Sequence, residues 1–120
     1  MEALFDYSEV IQLRTYIKEV ISMPRYLLLW EVDQAKIPLN PKERGAGWAF
    51  LMNMVRQDRE KGINKDWGAF VAETRGYTVY EGSELDVAKA TQQYVPFVKF
   101  QVHPIASESL VNELIKGLTG

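Results

Sequence analysis

The order of strand and helix signals constrains the fold of this chain more than any other feature of its sequence. The first signal is a predicted strand at Arg25–Val32, which is apolar on both faces except at Glu31. A strand with two apolar faces is typical of the centre of a sheet. The clearest helix start in the sequence comes next, because Asn40 can cap free backbone amides and Pro41 suits the first helical position.

The remaining elements are predicted from alternation, caps and turn residues. They are a helix from Pro41 to about Lys61, strands at Asp66–Thr74 and Tyr77–Glu81, a helix from Ser83 to about Tyr94, a strand at Phe97–His103 and a last helix capped by Ser107. A turn at Arg75-Gly76 makes the second and third strands a hairpin. An amphipathic helix at about residues 3–22 precedes them all, and its apolar stripe either packs against the domain or forms a dimer contact.

The order helix, β-α-β-β-α-β, helix indicates an α+β fold of the ferredoxin-like type. Right-handed crossovers predict an antiparallel four-stranded sheet ordered 4-1-3-2 with both helices on one face. The sequence contains no repeat or linker, so we expect a single domain over residues 1–120 with its core at about 25–106. The other face of the sheet then needs cover from the terminal helices or from a second subunit.

The fourth strand divides its side chains between the two faces of the sheet. Period-2 geometry predicts that one set faces the helices and the other set faces away. The helix-facing set is Val98, Phe100 and Val102, and the opposite set is Phe97, Lys99, Gln101 and His103. For the first strand both parities stay open, with either Leu27, Leu29 and Glu31 or Tyr26, Leu28 and Trp30 on the open face. Such a mixed surface is typical of a ligand-lined cavity or of an ordinary solvent face.

Composition excludes several kinds of site. The chain has no Cys and one His, which excludes disulfides, thiolate zinc sites and any mononuclear metal site that needs two His from one chain. A net charge of −2 gives no basic surface for nucleic acid. No apolar run approaches the ~20 residues that span a bilayer, and the acidic start is unlike a signal peptide. We therefore expect a cytoplasmic protein with no cofactor, no metal and no membrane partner.

Two residues are candidates for a general base. His103 is the side chain that titrates near neutrality, and it could also serve as a single haem ligand. Glu31 lies in an otherwise apolar strand, where burial would favour a role in proton transfer. Each also has a structural interpretation, as a strand-end residue that reaches solvent. Lys99 lies on the neighbouring strand and could form a cross-strand ion pair with Glu31.

Aromatic residues supply either a pocket lining or an ordinary core. Trp30, Trp67 and Tyr80 are the aromatic members of the predicted ligand-binding set. Lys99, Gln101 and His103 are its polar members. The sequence has no Gly-rich phosphate loop and no nucleophile elbow, so phosphate binding through such a loop and hydrolase chemistry of the elbow type are not indicated.

Two segments resemble a known superfamily. They are Gly76-Tyr77-x-Val79-Tyr80-Glu81-Gly82 and, after a short helix ending at Tyr94, Val95-Pro96-Phe97-Val98-x-Phe100-x-Val102-x-Pro104-Ile105. Together they are similar to the C-terminal half of small dimeric α/β-barrel proteins, and the likeness covers about residues 25–106. It rests on strand hydrophobics and turn residues, without a catalytic signature. The resemblance implies a homodimer in which two four-stranded sheets pack face to face.

The members of that superfamily include cofactor-free monooxygenases, muconolactone-isomerase-like enzymes, haem-binding relatives and ligand-sensing domains. The fold alone therefore does not select a function. We expect a homodimer or higher homo-oligomer that binds a small apolar or aromatic carboxylate-type ligand. The alternatives are a cofactor-free monooxygenase or isomerase with His103 or Glu31 as its base, and an assembly protein with no ligand.

Overall fold

The computed structural model describes residues 9–11 and 23–120. Residues 9–11 are helical, and the rest of the helix predicted at about 3–22 lies outside the described residues. The elements are β1 (Arg25–Val32), α1 (Pro41–Glu60), β2 (Asn64–Ala69), β3 (Arg75–Glu81), α2 (Glu84–Gln92), β4 (Val98–Ile105) and α3 (Glu108–Thr119). A short 3-10 turn at Gln34–Lys36 lies between β1 and α1.

The four strands form one antiparallel sheet in the order β2-β3-β1-β4. This order and the βαββαβ succession of elements confirm the predicted α+β fold of the ferredoxin-like type. β1 pairs with β3 on one side and with β4 on the other, so that Leu28 lies opposite both Thr78 and Val102. The apolar first strand is therefore central, as its sequence predicts.

The core lies between one face of the sheet and the helices α1 and α2. Its first cluster joins β1 and β3 to α2 and consists of Tyr26, Leu28, Tyr80, Val87 and Ala90. Its second cluster joins β1 and β4 to α1 and consists of Trp30, Val32, Val55, Tyr94 and Val98. Both helices consequently cover the same face of β1.

The alternation of burial along β1 decides the parity that the sequence leaves open. Leu28 and Trp30 are buried, whereas Leu27 and Leu29 are half-buried and Glu31 is exposed. The register places the corresponding side chains of β3 and β4 on the same uncovered side. We call this surface the open face, and it consists of Leu27, Leu29, Glu31, Tyr77, Val79, Lys99, Gln101 and His103.

Local signals start and end the helices largely as predicted. The Asn40 side chain accepts a hydrogen bond from the backbone N–H of Lys42 at 2.9 Å, and Gly62 adopts φ +84° just after α1. At the start of α2, the Asp86 carboxylate accepts from the Ser83 N–H at 2.9 Å, and the Ser83 hydroxyl accepts from the Asp86 N–H at 3.1 Å. The bond from the Ser83 backbone is the main reason that the pKa of Asp86 is lowered.

The hairpin of β2 and β3 is present, but its turn comes earlier than predicted. The strand predicted at Asp66–Thr74 ends at Ala69, and the chain turns through residues 70–74, where Ala72 adopts φ 68°. The prediction of a strand beyond Ala69 was wrong because an apolar residue there does not face the core. Val71 is 94% exposed at the tip of the turn.

Gly76 lies inside β3 for a packing reason and does not form the predicted turn. A Cβ at Gly76 would collide with the backbone oxygen of Gly68 across the hairpin and would come within 2.6 Å of the Trp30 ring. Glycine in a strand commonly marks such a close approach. At the other edge of the sheet, β4 continues past the predicted end at His103 to include Pro104, which an edge strand tolerates.

Two glycine substitutions are expected to have opposite effects on stability. Gly76→Ala should lower the free energy of unfolding by about 1–3 kcal/mol, because the overpacked hairpin has to move. Gly45→Ala in α1, where an added Cβ meets nothing within 4 Å, should raise the free energy of unfolding by about 0.5–1 kcal/mol. Urea unfolding of both variants measures the difference, and an unchanged midpoint for Gly76→Ala would contradict the close approach.

Candidate functional site

The sheet separates the residues that the sequence predicts as ligand-binding into two groups. Trp30, Trp67 and Tyr80 belong to the helix side, where they line one cavity. Lys99, Gln101 and His103 lie on the open face and are exposed. A small ligand cannot contact both groups through the sheet. The two sides are therefore separate candidate sites.

Both candidate bases lie on the open face and outside the cavities of the helix side. His103 is opposite Leu27 in the register of β4 with β1, and Glu31 is opposite Lys99. Although Glu31 and Lys99 are neighbours, the ion pairs among the described residues join other side chains, so the predicted cross-strand pair is not formed. A base on this surface would be enclosed only after a second subunit covers it.

Three tryptophans occupy the centre of the helix side. The Trp30 ring stacks on Trp67 with centroids 5.3 Å apart and an interplanar angle of 9°. It meets Trp48 of α1 edge to face at a centroid distance of 6.2 Å. The Trp30 Nε1–H donates to the Tyr77 carbonyl oxygen at 3.1 Å. Stacking and this hydrogen bond hold the indole of β1 in one orientation.

Two apolar cavities meet at Trp48. The inner cavity, of about 30 Å³, lies between the tryptophans and the rings of Tyr80 and Tyr94. The outer cavity, of about 180 Å³, opens between α1 and the segment that follows β1. We call the outer cavity the α1 cleft, and it is lined by Lys36, Ile37, Arg44, Trp48, Phe50 and Phe97, among others. Trp48 lines both cavities and forms part of the wall between them.

The α1 cleft combines apolar walls with positive charge. Among the described residues, its two charged lining residues are Lys36 and Arg44, and no Asp or Glu lines it. The Arg44 Nη1 donates to the carbonyl oxygens of Leu39 at 3.2 Å and Pro38 at 3.4 Å, which holds the guanidinium against the segment before α1. Phe50 is 61% exposed although it lines a concave surface. The cleft can therefore bury an apolar group beside two cations.

A buried carboxylate lies behind the inner cavity. Asp58 of α1 is 1% exposed. Its Oδ2 accepts from the Tyr94 hydroxyl at 2.7 Å and from the Tyr80 hydroxyl at 3.4 Å, and its Oδ1 accepts from the Gln93 Nε2 at 3.3 Å. In the described part of the chain none of its partners is a cation. Three neutral donors thus replace the water that the carboxylate loses on burial.

Burial and the neighbouring carboxylate raise the pKa of both tyrosines. For Tyr80 the larger cause is desolvation, followed by the charge of Asp58. For Tyr94 desolvation again comes first, followed by its hydrogen bond to Asp58. Both phenols therefore stay protonated at neutral pH and donate to Asp58. Because these hydroxyl groups are already used, we interpret the Asp58 cluster as a structural element that closes the inner end of the cavity.

Asp58 also borders a wide, open basin of about 690 Å³ on its other side. The charged lining residues there are mixed in sign, since Lys61, Lys65 and Lys89 stand beside Glu81 and Asp86. The basin lacks both the apolar walls and the single sign of charge found in the α1 cleft. It is therefore the weaker candidate for selective binding of a small molecule.

Sequence reasoning identified neither the α1 cleft nor the Asp58 cluster. Lys36 and Arg44 belong to a locally basic stretch that is also typical of a solvated helix face. The burial of Asp58 could have been predicted from the sequence, because Asp58 follows Val55 by three residues and so continues the apolar stripe of α1. A carboxylate on the buried stripe of a helix indicates an internal polar cluster.

Comparison with known proteins adds no family. No protein-family model and no curated protein matches the chain. Over residues 9–11 and 23–120, no helix is long and apolar enough to cross a membrane, and no group of three or more His, Asp or Glu side chains could hold a metal ion. Function in this chain has to be inferred from the chemistry of its cavities and surfaces, since a fold by itself does not determine function.

Removing the Tyr94 hydroxyl is expected to destabilise the protein. Tyr94→Phe deletes the 2.7 Å bond to Asp58, and the free energy of unfolding should fall by about 1.5–3 kcal/mol, as for other hydrogen bonds to charged groups. Tyr26→Phe is the matched control, because Tyr26 is also buried in the core and its hydroxyl has no hydrogen bond to another described residue. Equal losses in the two variants would contradict the role of Asp58.

The same variant is expected to change the response to alkali. The pKa values of Tyr80 and Tyr94 are raised in the folded state above the unfolded value of ~10. Their contribution to stability is therefore complete below that pH and is lost as the pH rises through the folded-state values. Urea unfolding from neutral pH to about pH 11 should show this decline, and Tyr94→Phe should make it shallower.

Proposed function

We propose that this protein binds a small apolar carboxylate in the α1 cleft. The observation that carries the proposal is the pairing of apolar walls with two cations, Lys36 and Arg44, in a cavity of about 180 Å³. Concave apolar pockets with a few convergent polar groups are the usual sites for small molecules. The cations favour an anionic group on the ligand, and the aromatic walls favour a ring or a short alkyl chain.

The size of the cleft limits the ligand. An apolar cavity of ~150 Å³ is large enough for benzene. The α1 cleft, at about 180 Å³, therefore fits one ring with a carboxylate at its rim, or a short branched acid. Larger ligands would need Trp48 to move, because this side chain borders the inner cavity.

Arg44 is suited to hold the carboxylate. Its Nη1 is used by the carbonyl oxygens of Pro38 and Leu39, which leaves the Nε and Nη2 donors for a ligand. A guanidinium binds a carboxylate through two parallel hydrogen bonds when its planar edge is free. The contacts already made reduce the entropy that the side chain loses on binding.

A cofactor-free monooxygenase or isomerase is the alternative with less support. A general base has to lie within about 3 Å of the proton that it removes. His103 and Glu31 line none of the three cavities described above. This function would require a second subunit to build an enclosed site over the open face.

We also propose that a second copy of the chain covers the open face. Leu27, Leu29 and Val79 form a half-exposed apolar centre, and no helix from residues 23–120 packs on that side. Its border is polar and includes the ion pair between Arg25 and Glu81, at 2.8 Å. An apolar centre with a polar rim is typical of a protein interface. The resemblance to dimeric α/β barrels favours face-to-face packing of two such sheets.

The ligand proposal is tested by titration calorimetry with benzoate and with benzamide, its uncharged analogue. Benzoate should bind, and benzamide should bind at least about tenfold more weakly, because it lacks a charge-assisted hydrogen bond. Arg44→Gln should weaken benzoate binding by a similar factor. Lys42→Gln is the matched control, since Lys42 is an exposed cation on the same helix that does not line the cleft. Absence of benzoate binding, or equal binding by Arg44→Gln, would refute the proposal.

The dimer proposal is tested by sedimentation equilibrium. The wild-type chain should be a dimer at micromolar concentration, and Leu29→Glu should be a folded monomer because it places a charge in the apolar centre. Gln57→Glu introduces the same charge on the exposed side of α1 and should leave the dimer intact. Circular dichroism checks that both variants fold, and a monomeric wild type would overturn the arrangement.

A further inference from the structure

α3 presents an apolar stripe that the rest of residues 23–120 leaves exposed. The helix starts at Ser107, whose hydroxyl accepts from the Leu110 N–H at 3.1 Å, and none of its residues is buried. The stripe consists of Leu110, Val111, Leu114, Ile115 and Leu118. The exposed fractions of these residues run from 41% at Val111 to 78% at Leu118. We call these five residues the α3 stripe.

A helix of this length needs a covering surface to persist in water. α3 has 12 residues, and isolated helices shorter than ~12–15 residues are marginal. Ser107 caps it, Glu108 lies in the first turn and Lys116 lies in the last turn, which are favourable but small effects. The spacing of the α3 stripe is that of a helix that packs on an apolar surface. The sequence therefore specifies a helix whose stability depends on a partner surface.

α3 begins next to the margin of the surface proposed as the dimer interface. The helix follows β4 after two residues, Ala106 and Ser107. The last residue of β4, Ile105, lies opposite Arg25 at the margin of the open face. α3 is about 18 Å long at ~1.5 Å per residue, whereas two sheets that pack face to face lie ~10 Å apart. A helix that starts at this margin is thus long enough to reach past its own sheet onto the second copy.

The end of β4 carries uncovered apolar surface next to α3. Ile105, the last residue of β4, is 42% exposed and has the parity of the open face. Uncovered apolar surface at the margin of the open face therefore leads into α3.

We propose that the α3 stripe docks on a second copy of this chain, so that the two copies exchange their C-terminal helices. The proposal rests on the self-association of open faces proposed above. The exposed fractions of the stripe correspond to an accessible surface on the order of 500 Å². Reciprocal docking of two stripes on two receiving surfaces would thus bury up to about 2,000 Å² in total, which is enough for a stable specific dimer. A two-fold axis uses the same stripe and the same receiving surface twice.

Hydrogen exchange of the full-length protein tests where α3 is covered. The amides of Val111–Leu118 should be protected at high micromolar concentration and should lose protection on dilution below the dimer dissociation constant. Protection that persists in the monomer would show that the same chain covers the stripe, and it would overturn the proposal. Absence of protection at every concentration would overturn it as well, because the helix would then be frayed.

A pair of charge variants tests whether the stripe contributes to association. Leu114→Glu should raise the dissociation constant of the dimer at least about tenfold, as for an interface anchor. Asn112→Glu, which lies off the stripe and introduces the same charge, should leave it unchanged. Since no residue of α3 is buried, both variants should keep the thermal unfolding of the monomer.

Comparison with Leu29→Glu separates the two proposals about the dimer. If Leu29→Glu is monomeric while Leu114→Glu associates like the wild type, the open-face dimer stands and the docking of α3 is refuted. If neither substitution changes association, both proposals fail. Weaker association in both variants, with protection of α3 that depends on concentration, supports the exchange of helices.

Discussion

Burial of one face of β1 is the constraint on which the rest of this structure depends. Leu28 has no exposed surface at all, because β3 and β4 flank its strand and α2 covers it. Since side chains alternate along a strand, fixing Leu28 inside also fixes Trp30 inside and Leu29 outside. Because the Trp30 side chain lies on the inner side of the sheet, it can pack against Trp48 and Trp67 and border the cavities beside them. The outward direction of Leu29 creates an apolar surface that a single copy of the described fold leaves open.

The two sides of the sheet consequently differ in chemistry. On the helix side, the Asp58 carboxylate accepts hydrogen bonds from Tyr80, Tyr94 and Gln93. This cluster joins α1, β3 and the end of α2, and it keeps the region behind the inner cavity from needing water. Charged side chains on this side line the mouth of the α1 cleft and the open basin beside Asp58. On the open face the Tyr77 hydroxyl donates to Asp66, whereas Glu31, Lys99, Gln101 and His103 take part in none of the ion pairs found among the described residues.

The sequence was sufficient for the order and type of the elements, because caps, breakers and alternation are local signals. It did not decide the parity of β1, since both faces of that strand are apolar and only tertiary contact distinguishes them. For the same reason Trp30, Trp67 and Tyr80 could not be separated from Lys99, Gln101 and His103. Gly76 was misread as a turn residue because its requirement comes from Gly68 and Trp30, which are distant along the chain. The α1 cleft was missed because it is formed by the 3-10 turn, α1 and Phe97. Phe97 is distant from the other two in sequence, and a local pattern does not predict contacts between distant segments.

The positions of the three tryptophans determine which part of this protein its intrinsic fluorescence can monitor. All three tryptophans of the chain are Trp30, Trp48 and Trp67, and all three line the inner cavity. Indole emission therefore reports the interior and, through Trp48, the α1 cleft. Stacked indoles 5.3 Å apart also couple their electronic transitions, so the near-ultraviolet circular dichroism should carry a signature of the Trp30–Trp67 pair. The open face and α3 contain no tryptophan. Indole emission should therefore change little when two copies associate through these surfaces.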